Sequence, residues 1–308
     1  MIYLRSFLLI FILCLKISFP VIAQNNPSVT AQEYFDRGYE FVNRGEFENA
    51  ILAFTEVIRL NPSWGTAYAM RGFSLTNSVS SQYFDDKLVA TDENITEEHI
   101  LILNRAILDF SKAIRLDPRD PVPYLNRGIA YSLKNEYNLA IDDYTQAIYL
   151  EPDLSPALFN RSVIYYRLGN FNEALDDLQK YIQAEPEDTN AYSLLGHIYI
   201  TIENYSQAII YFTKIIEMYP NEYCSYFDRG LCYAYMEEFE HAITDFTKSN
   251  ELNPGFIDNY INLGIIYKNL EEYDRSLELY NLALILDPSN ELAKNNLDIL
   301  LQTINEQR

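Results

Sequence analysis

The chain has 308 residues but only three cysteines, three histidines, one tryptophan and ten glycines, and its 23 Lys and Arg are outnumbered by 44 Asp and Glu. Each scarcity removes a class of function. Two cysteines lie beyond the N-terminal segment, Cys224 and Cys232, eight residues apart on one predicted helix. They would stand about 12 Å apart along its axis, too far to pair, so no disulfide framework is expected. His99, His197 and His241 are far apart, and no nucleophile–base arrangement, phosphate loop or metal-ligand spacing occurs. No catalytic, cofactor-binding or metal-binding residue is therefore assigned, and no cofactor is expected. A formal charge of −21 repels phosphate backbones, which disfavours nucleic acid as a partner.

Long apolar runs are also missing, except near the start. Arg5 precedes Ser6-Phe7-Leu8-Leu9-Ile10-Phe11-Ile12-Leu13-Cys14-Leu15, Lys16 ends the run, and Val21-Ile22-Ala23 precedes Gln24. A basic start, a short apolar stretch and a small residue describe a secretory signal peptide over residues 1–23, cleaved near Ala23. The alternative is an uncleaved anchor. The run is too short for an ordinary membrane span, and no other stretch approaches that length. The expected location is exported: periplasmic, envelope-associated or secreted. Loss of Arg5 and Lys16 would take the formal charge from −21 to −23.

What the chain does have is a period. Pro62, Pro118, Pro152, Pro186, Pro220, Pro254 and Pro288 recur every 34 residues from Pro118 onward, and only the first gap carries 22 extra residues. Such a period means stacked copies of one unit rather than one closed core. With proline at position 32, the repeats run 31–64, 65–120 with an insertion at about 77–98, 121–154, 155–188, 189–222, 223–256 and 257–290. Position 8 is Gly38, Gly72, Gly128, Ser162, Gly196, Gly230 and Gly264; position 20 is Ala except for Ser276. Position 4 is aromatic in all but one repeat, and positions 11 and 24 are aromatic or Leu. Spacings of 4, 8 and 11, then 20, 24 and 27, are helical periods on two segments, A and B, broken at Gly45, Asn135 or Gly169. The residue before each proline leaves the helical region and ends segment B.

This pattern resembles the tetratricopeptide repeat, over residues 31–290 in seven copies. The resemblance implies an all-α, right-handed α-solenoid of helix-turn-helix units, with helix A lining a concave groove. Residues 291–308 read as a polar-faced capping helix after a short leader at 24–30. By the resemblance, the groove floor holds Phe35, Tyr39, Phe73, Leu125, Ile129, Phe159, Val163 and Tyr166, then His197, Phe227, Leu231, Tyr235, Ile261 and Ile265. A mostly apolar, aromatic floor suits an extended or helical protein segment with hydrophobic anchors. Family members that grip the carboxylate terminus of cytosolic chaperones use Lys and Asn at positions 5 and 9, which are apolar here. The insertion is a second candidate binding element or a plain surface loop, with Thr96 capping a lengthened helix B.

One rule runs through the repeats. Position 7 is Arg71, Arg127, Arg161 and Arg229 where position 23 is Asp109, Asp143, Asp177 and Asp245; it is Leu195 and Leu263 where position 23 is Tyr211 and Leu279. Arg37, facing Ala53, is the exception. The expectation is a partly buried structural ion pair between helices A and B. The tyrosines at helical spacing read as packing first, and Cys232 as a buried apolar residue. Three functions follow, none of them enzymatic: an adaptor binding a protein segment in the groove, a self-assembling structural repeat protein, or a binder of envelope polysaccharide. The adaptor fits the apolar floor best, and oligomeric state is left open.

Overall fold

The computed structural model of the chain describes residues 29–83 and 95–306, which form fifteen helices and no strand. The expected signal peptide and the centre of the insertion lie outside the described residues. The chain divides into two compact units that meet in sequence at Pro186 and Glu187.

Unit 1 holds four helical hairpins: α1 (Ala31–Asn43) with α2 (Phe47–Leu60), α3 (Gly65–Tyr83) with α4 (Glu97–Leu116), α5 (Pro121–Leu133) with α6 (Tyr137–Leu150), and α7 (Ser155–Arg167) with α8 (Phe171–Ala184). Unit 2 holds α9 (Thr189–Thr201) with α10 (Tyr205–Met218), α11 (Tyr223–Tyr235) with α12 (Phe239–Leu252), and α13 (Ile257–Asn269) with α14 (Tyr273–Leu286), followed by α15 (Glu291–Glu306). Each odd-numbered helix up to α13 packs on the even one that follows, and within a unit each hairpin packs on the next.

Outside the hairpin that carries the insertion, the turn between A and B helices is built the same way each time. The residue at position 15 takes a left-handed conformation, with φ of 73° at Gly45, 59° at Asn135 and 78° at Gly169. The next amide then reaches back to the carbonyl of position 11, as in Glu46 to Phe41 at 2.9 Å and Glu136 to Tyr131 at 2.9 Å. This is the six-to-one closure of a Schellman motif. Unit 2 breaks the expected composition: Glu203, Glu237 and Glu271 adopt the same conformation, with φ of 59°, 59° and 62°.

The small residue at position 8 is dictated by a ring. A Cβ on Gly128 would stand 2.6 Å from the Tyr144 ring, and one on Gly196 or Gly264 would stand 2.5 Å from Phe212 or Tyr280. Repeat four lacks both partners, with Ser162 facing Leu178. There the buried ring moves one helical turn on, to Tyr181, which packs against Phe159 at 5.1 Å. Tyrosines at position 4 also tie hairpins together. The hydroxyls of Tyr68, Tyr124, Tyr226 and Tyr260 donate to the carbonyls of Pro62, Pro118, Pro220 and Pro254 at 3.0–3.4 Å.

The insertion is less of a loop than expected. It lengthens both helices of its hairpin, α3 to 19 residues and α4 to 20, against 13 and 14 elsewhere. Thr96 caps α4 by a capping box whose third residue is His99, a role not anticipated for that histidine. Residues 74–80 of α3 are buried although most are polar. Their side chains turn back onto the helix's own carbonyls, as Thr76 does to Gly72 at 3.0 Å and Asn77 to Phe73 at 2.8 Å, so burial leaves those donors satisfied. At the other terminus, α15 lays Ala293 and Leu300 on Ile261, Tyr280 and Ala283 and closes unit 2.

Candidate interaction surface

The four Arg–Asp positions form two-pronged pairs. Arg127 Nε and Nη2 donate to the two carboxylate oxygens of Asp143, both at 2.7 Å. Arg71 with Asp109, Arg161 with Asp177 and Arg229 with Asp245 repeat this geometry. The third nitrogen does something the sequence reading missed. Nη1 of each Arg reaches a hydroxyl at position 25 of the preceding helix B: Thr55, Ser111, Thr145 and Thr213, at 2.8–3.2 Å. Each guanidinium therefore joins two hairpins, and the fork geometry needs arginine rather than lysine. Rings flank it, with Tyr124 and Tyr131 at 5.8 and 6.0 Å from Arg127. Hydrogen bonding to the carboxylate holds the Arg71, Arg127 and Arg229 guanidinium pKa above the ordinary value. These charges are paired within and between hairpins. In repeat five, Tyr211 takes the acid's place and stacks on Tyr199 at 5.6 Å and beside Tyr192 at 6.3 Å. A ring thus occupies the slot that the guanidinium fills elsewhere. Arg37, the exception in sequence, is exposed.

The floor divides into two kinds of residue, and half of the expectation needs correcting. Phe35, Phe73, Leu125, Ile129, Phe159, Val163 and Ile261 are buried rather than open. The reason is packing: Phe35 stacks on Trp64 at 4.8 Å and meets Phe54 edge-on at 5.5 Å, and Leu125 and Ile129 belong to the unit 1 core. Tyr39 and Tyr166 of unit 1 are half-buried. In unit 2 the floor is more open. Phe227, Leu231 and Ile265 are half-buried and Tyr235 is exposed. Phe227 packs between Phe246 at 5.6 Å and Phe256 at 4.8 Å, so its ring is fixed in place.

His197 is also partly open and faces an acid on the next helix A. Its Nε2 lies 3.4 Å from Asp228 Oδ2 on α11, and its Nδ1 lies 2.8 Å from the Ser193 carbonyl. Burial works to lower its pKa, but the hydrogen bond and charge of Asp228, with the Ser193 carbonyl, outweigh it and the pKa is raised. Asp228 was not singled out in sequence. It stands at position 6, outside the positions taken for the floor. Cys232 is fully buried, and burial pushes its thiol up to about 12, so it is inert at neutral pH. Cys224 is half-buried. Among the described residues no group of three His, Cys, Asp or Glu could hold a metal, and no helix is long and apolar enough to cross a membrane.

Models of the tetratricopeptide repeat match residues 31–63, 121–154, 155–188, 189–222, 225–256 and 257–290, well over half of the chain. The chain belongs to the tetratricopeptide-repeat family. The span left unmatched includes the hairpin with the lengthened helices. Among solved structures, the C-terminal part of a tetratricopeptide-repeat protein from Cytophaga hutchinsonii is similar in fold, with a TM-score of 0.69 and 19% identity, over 85% of this chain and 99% of that one. A tetratricopeptide-repeat protein from Parabacteroides merdae shares the fold at a TM-score of 0.54 and 20% identity, over 88% of this chain and 98% of that one. YrrB, whose crystal structure is described as that of a TPR protein with an unusual peptide-binding site, aligns at 27% identity and a TM-score of 0.54. That match covers 60% of this chain and 96% of YrrB. No curated protein matches the chain. Repeat proteins of this family are generally scaffolds for protein interaction.

Proposed function

We propose that this tetratricopeptide-repeat protein is a non-enzymatic adaptor of an exported compartment, and that the helix-A floor of unit 2 holds a protein segment with apolar anchors. The observation that carries the reading is the half-open floor of Phe227, Leu231, Tyr235 and Ile265, with the Phe227 ring braced by two others. A rigid aromatic that still meets water is the kind of group on which binding energy concentrates. The peptide-binding site ascribed to YrrB supports the same use of the fold. The buried floor of unit 1 supplies stability in this reading, and the more open unit 2 supplies recognition. Export rests on the Arg5 to Ala23 pattern alone.

The direct test is binding of the full chain to a library of short peptides bearing paired apolar residues, beside a Phe227→Asp, Leu231→Asp variant with native helix content. Peptides retained by the native chain and lost by the variant are expected; equal retention by both would refute the floor as the site. Residues 1–30 fused to a reporter active only outside the cytoplasm test export, and a silent reporter would remove that part of the proposal.

A further inference from the structure

The lengthened α4 carries a face that its own unit does not use. Leu101, Arg105, Leu108, Lys112 and Arg115 follow spacings of 4, 3, 4 and 3, which set them on one stripe of the helix. Leu101 and Leu108 are 63% and 68% exposed, and Leu52, the counterpart of Leu108 on α2, is 67% exposed. Among the described residues Arg105, Lys112 and Arg115 have no ion-pair partner. With Glu98 continuing the stripe at its N-terminal end, these three cations around two exposed leucines still form a net basic, apolar face on a chain with nearly twice as many acids as bases.

Unit 2 carries the complement. Its A–B turns read Ile202-Glu203, Met236-Glu237 and Leu270-Glu271, where the corresponding turns of unit 1 read Arg44-Gly45, Lys134-Asn135 and Leu168-Gly169, so the glutamate is what sets the unit 2 turns apart. Ile202, Met236 and Leu270 are 41%, 37% and 40% exposed. Among the described residues Glu203, Glu237 and Glu271 have no ion-pair partner. Two of these turns are joined directly: Tyr205 stacks on Tyr235 at 5.0 Å, and the Ser206 hydroxyl reaches the Met236 sulfur at 3.9 Å. Tyr235, assigned to the floor in sequence, stands at this edge and is half exposed. The result is an apolar edge with its own unpaired negative charges.

We propose that the outer face of α4 docks on this turn edge of unit 2 in a second copy of the chain, giving a head-to-tail oligomer. Each copy carries both surfaces, opposite in charge and alike in exposed apolar side chains, so every copy meets its complement at equal concentration. The contact joins two different patches and is heterologous. It covers leucines that otherwise face water, and its charges set register and salt dependence. It shares Tyr235 with the helix-A floor, but none of the residues substituted in the test below belongs to that floor.

The test follows the mass of the full chain by light scattering across a concentration series, at about 50 and about 500 mM salt. Two charge-reversed chains are compared, one with Arg105→Glu and Lys112→Glu, the other with Glu203→Lys and Glu237→Lys. All four positions are turn or outer-face residues, and circular dichroism checks that helix content is kept. The native chain should self-associate with concentration, at least tenfold more weakly at the higher salt. Each reversed chain alone should stay monomeric, and an equimolar mixture should form complexes again, because reversed α4 then meets a reversed edge. A neutral Leu101→Gln, Leu108→Gln chain should also weaken association without altering charge. A native chain that stays monomeric, variants that associate like the native chain, or a mixture that stays monomeric would each overturn the proposal.

Discussion

Replacing Asp143 by Ala should cost more stability than replacing Arg127 and Asp143 together by Leu. In the native chain Arg127 makes two 2.7 Å bonds to Asp143 and one 2.9 Å bond to the Ser111 hydroxyl. The Arg side chain is 20% exposed and that of Asp143 is 7% exposed. Asp143→Ala leaves a largely buried guanidinium with a single neutral acceptor. Breaking a fully buried pair costs about 3–5 kcal/mol, and the partial exposure of Arg127 brings the expectation to about 2–4 kcal/mol. The double leucine variant removes the desolvated charges altogether. The chain already uses that solution in Leu195 with Tyr211 and in Leu263 with Leu279, and Leu195 and Leu263 are buried there. Its cost should fall near 0–1 kcal/mol. A cycle completed with Arg127→Leu should then show a coupling of about 2 kcal/mol. Solenoids open locally, so urea unfolding followed by circular dichroism needs hydrogen exchange on α5 and α6 beside it. Coupling below about 0.5 kcal/mol, or a double variant as unstable as Asp143→Ala, would refute the reasoning.

Three further outcomes are expected. Gly128→Ala should destabilise by about 1–3 kcal/mol, because the new Cβ meets the Tyr144 ring at 2.6 Å in a packed interior; a neutral effect on the urea midpoint would show that the ring can withdraw. Glu237→Gly should instead stabilise, by about 0.5–1 kcal/mol, since a left-handed φ of 59° costs glycine less; an unchanged or lower thermal midpoint would contradict this. His197 has a folded pKa above its unfolded value of about 6.5, so the stability it contributes is whole below that value and is lost as pH rises through the folded pKa. Stability of the chain should therefore fall over that interval, and His197→Gln should flatten the profile; an NMR titration placing His197 below the unfolded value would reverse the sign.

The stack of helical hairpins was legible in sequence because each repeat meets only its neighbours, so a packing need recurs at a fixed interval. Proline at position 32 shows where helix B must end, and a glycine opposite an aromatic shows how closely two helices approach. The arginine–aspartate rule was legible for a related reason: both residues change together from copy to copy. The hydroxyl at position 25 was less so, since Thr247 also stands there in front of Leu263, where no guanidinium needs it. Openness of the floor was not legible. An apolar residue at a groove position looks the same whether a neighbouring ring covers it or not, and Trp64, which stacks on Phe35, lies in the turn between hairpins, outside the repeating helical positions.

The same reasoning indicates where this protein differs from a generic stack. Where packing alone governs a position, the copies converge on one answer, as at positions 8, 20 and 32. Departures from convergence that gain no packing call for another cause. The Tyr211 substitution has its compensation inside the fold, since its ring fills the space between Tyr192 and Tyr199. Glutamates in left-handed turns have none. They cost backbone energy relative to glycine, have no ion-pair partner among the described residues, and recur three times in unit 2 beside exposed apolar residues. The two leucines of α4 likewise stay in water where a polar residue would serve the helix equally well. Both departures lie on outer edges of the hairpins rather than on the helix-A floor. A protein whose only interaction ran through that floor would have no physical reason to keep either.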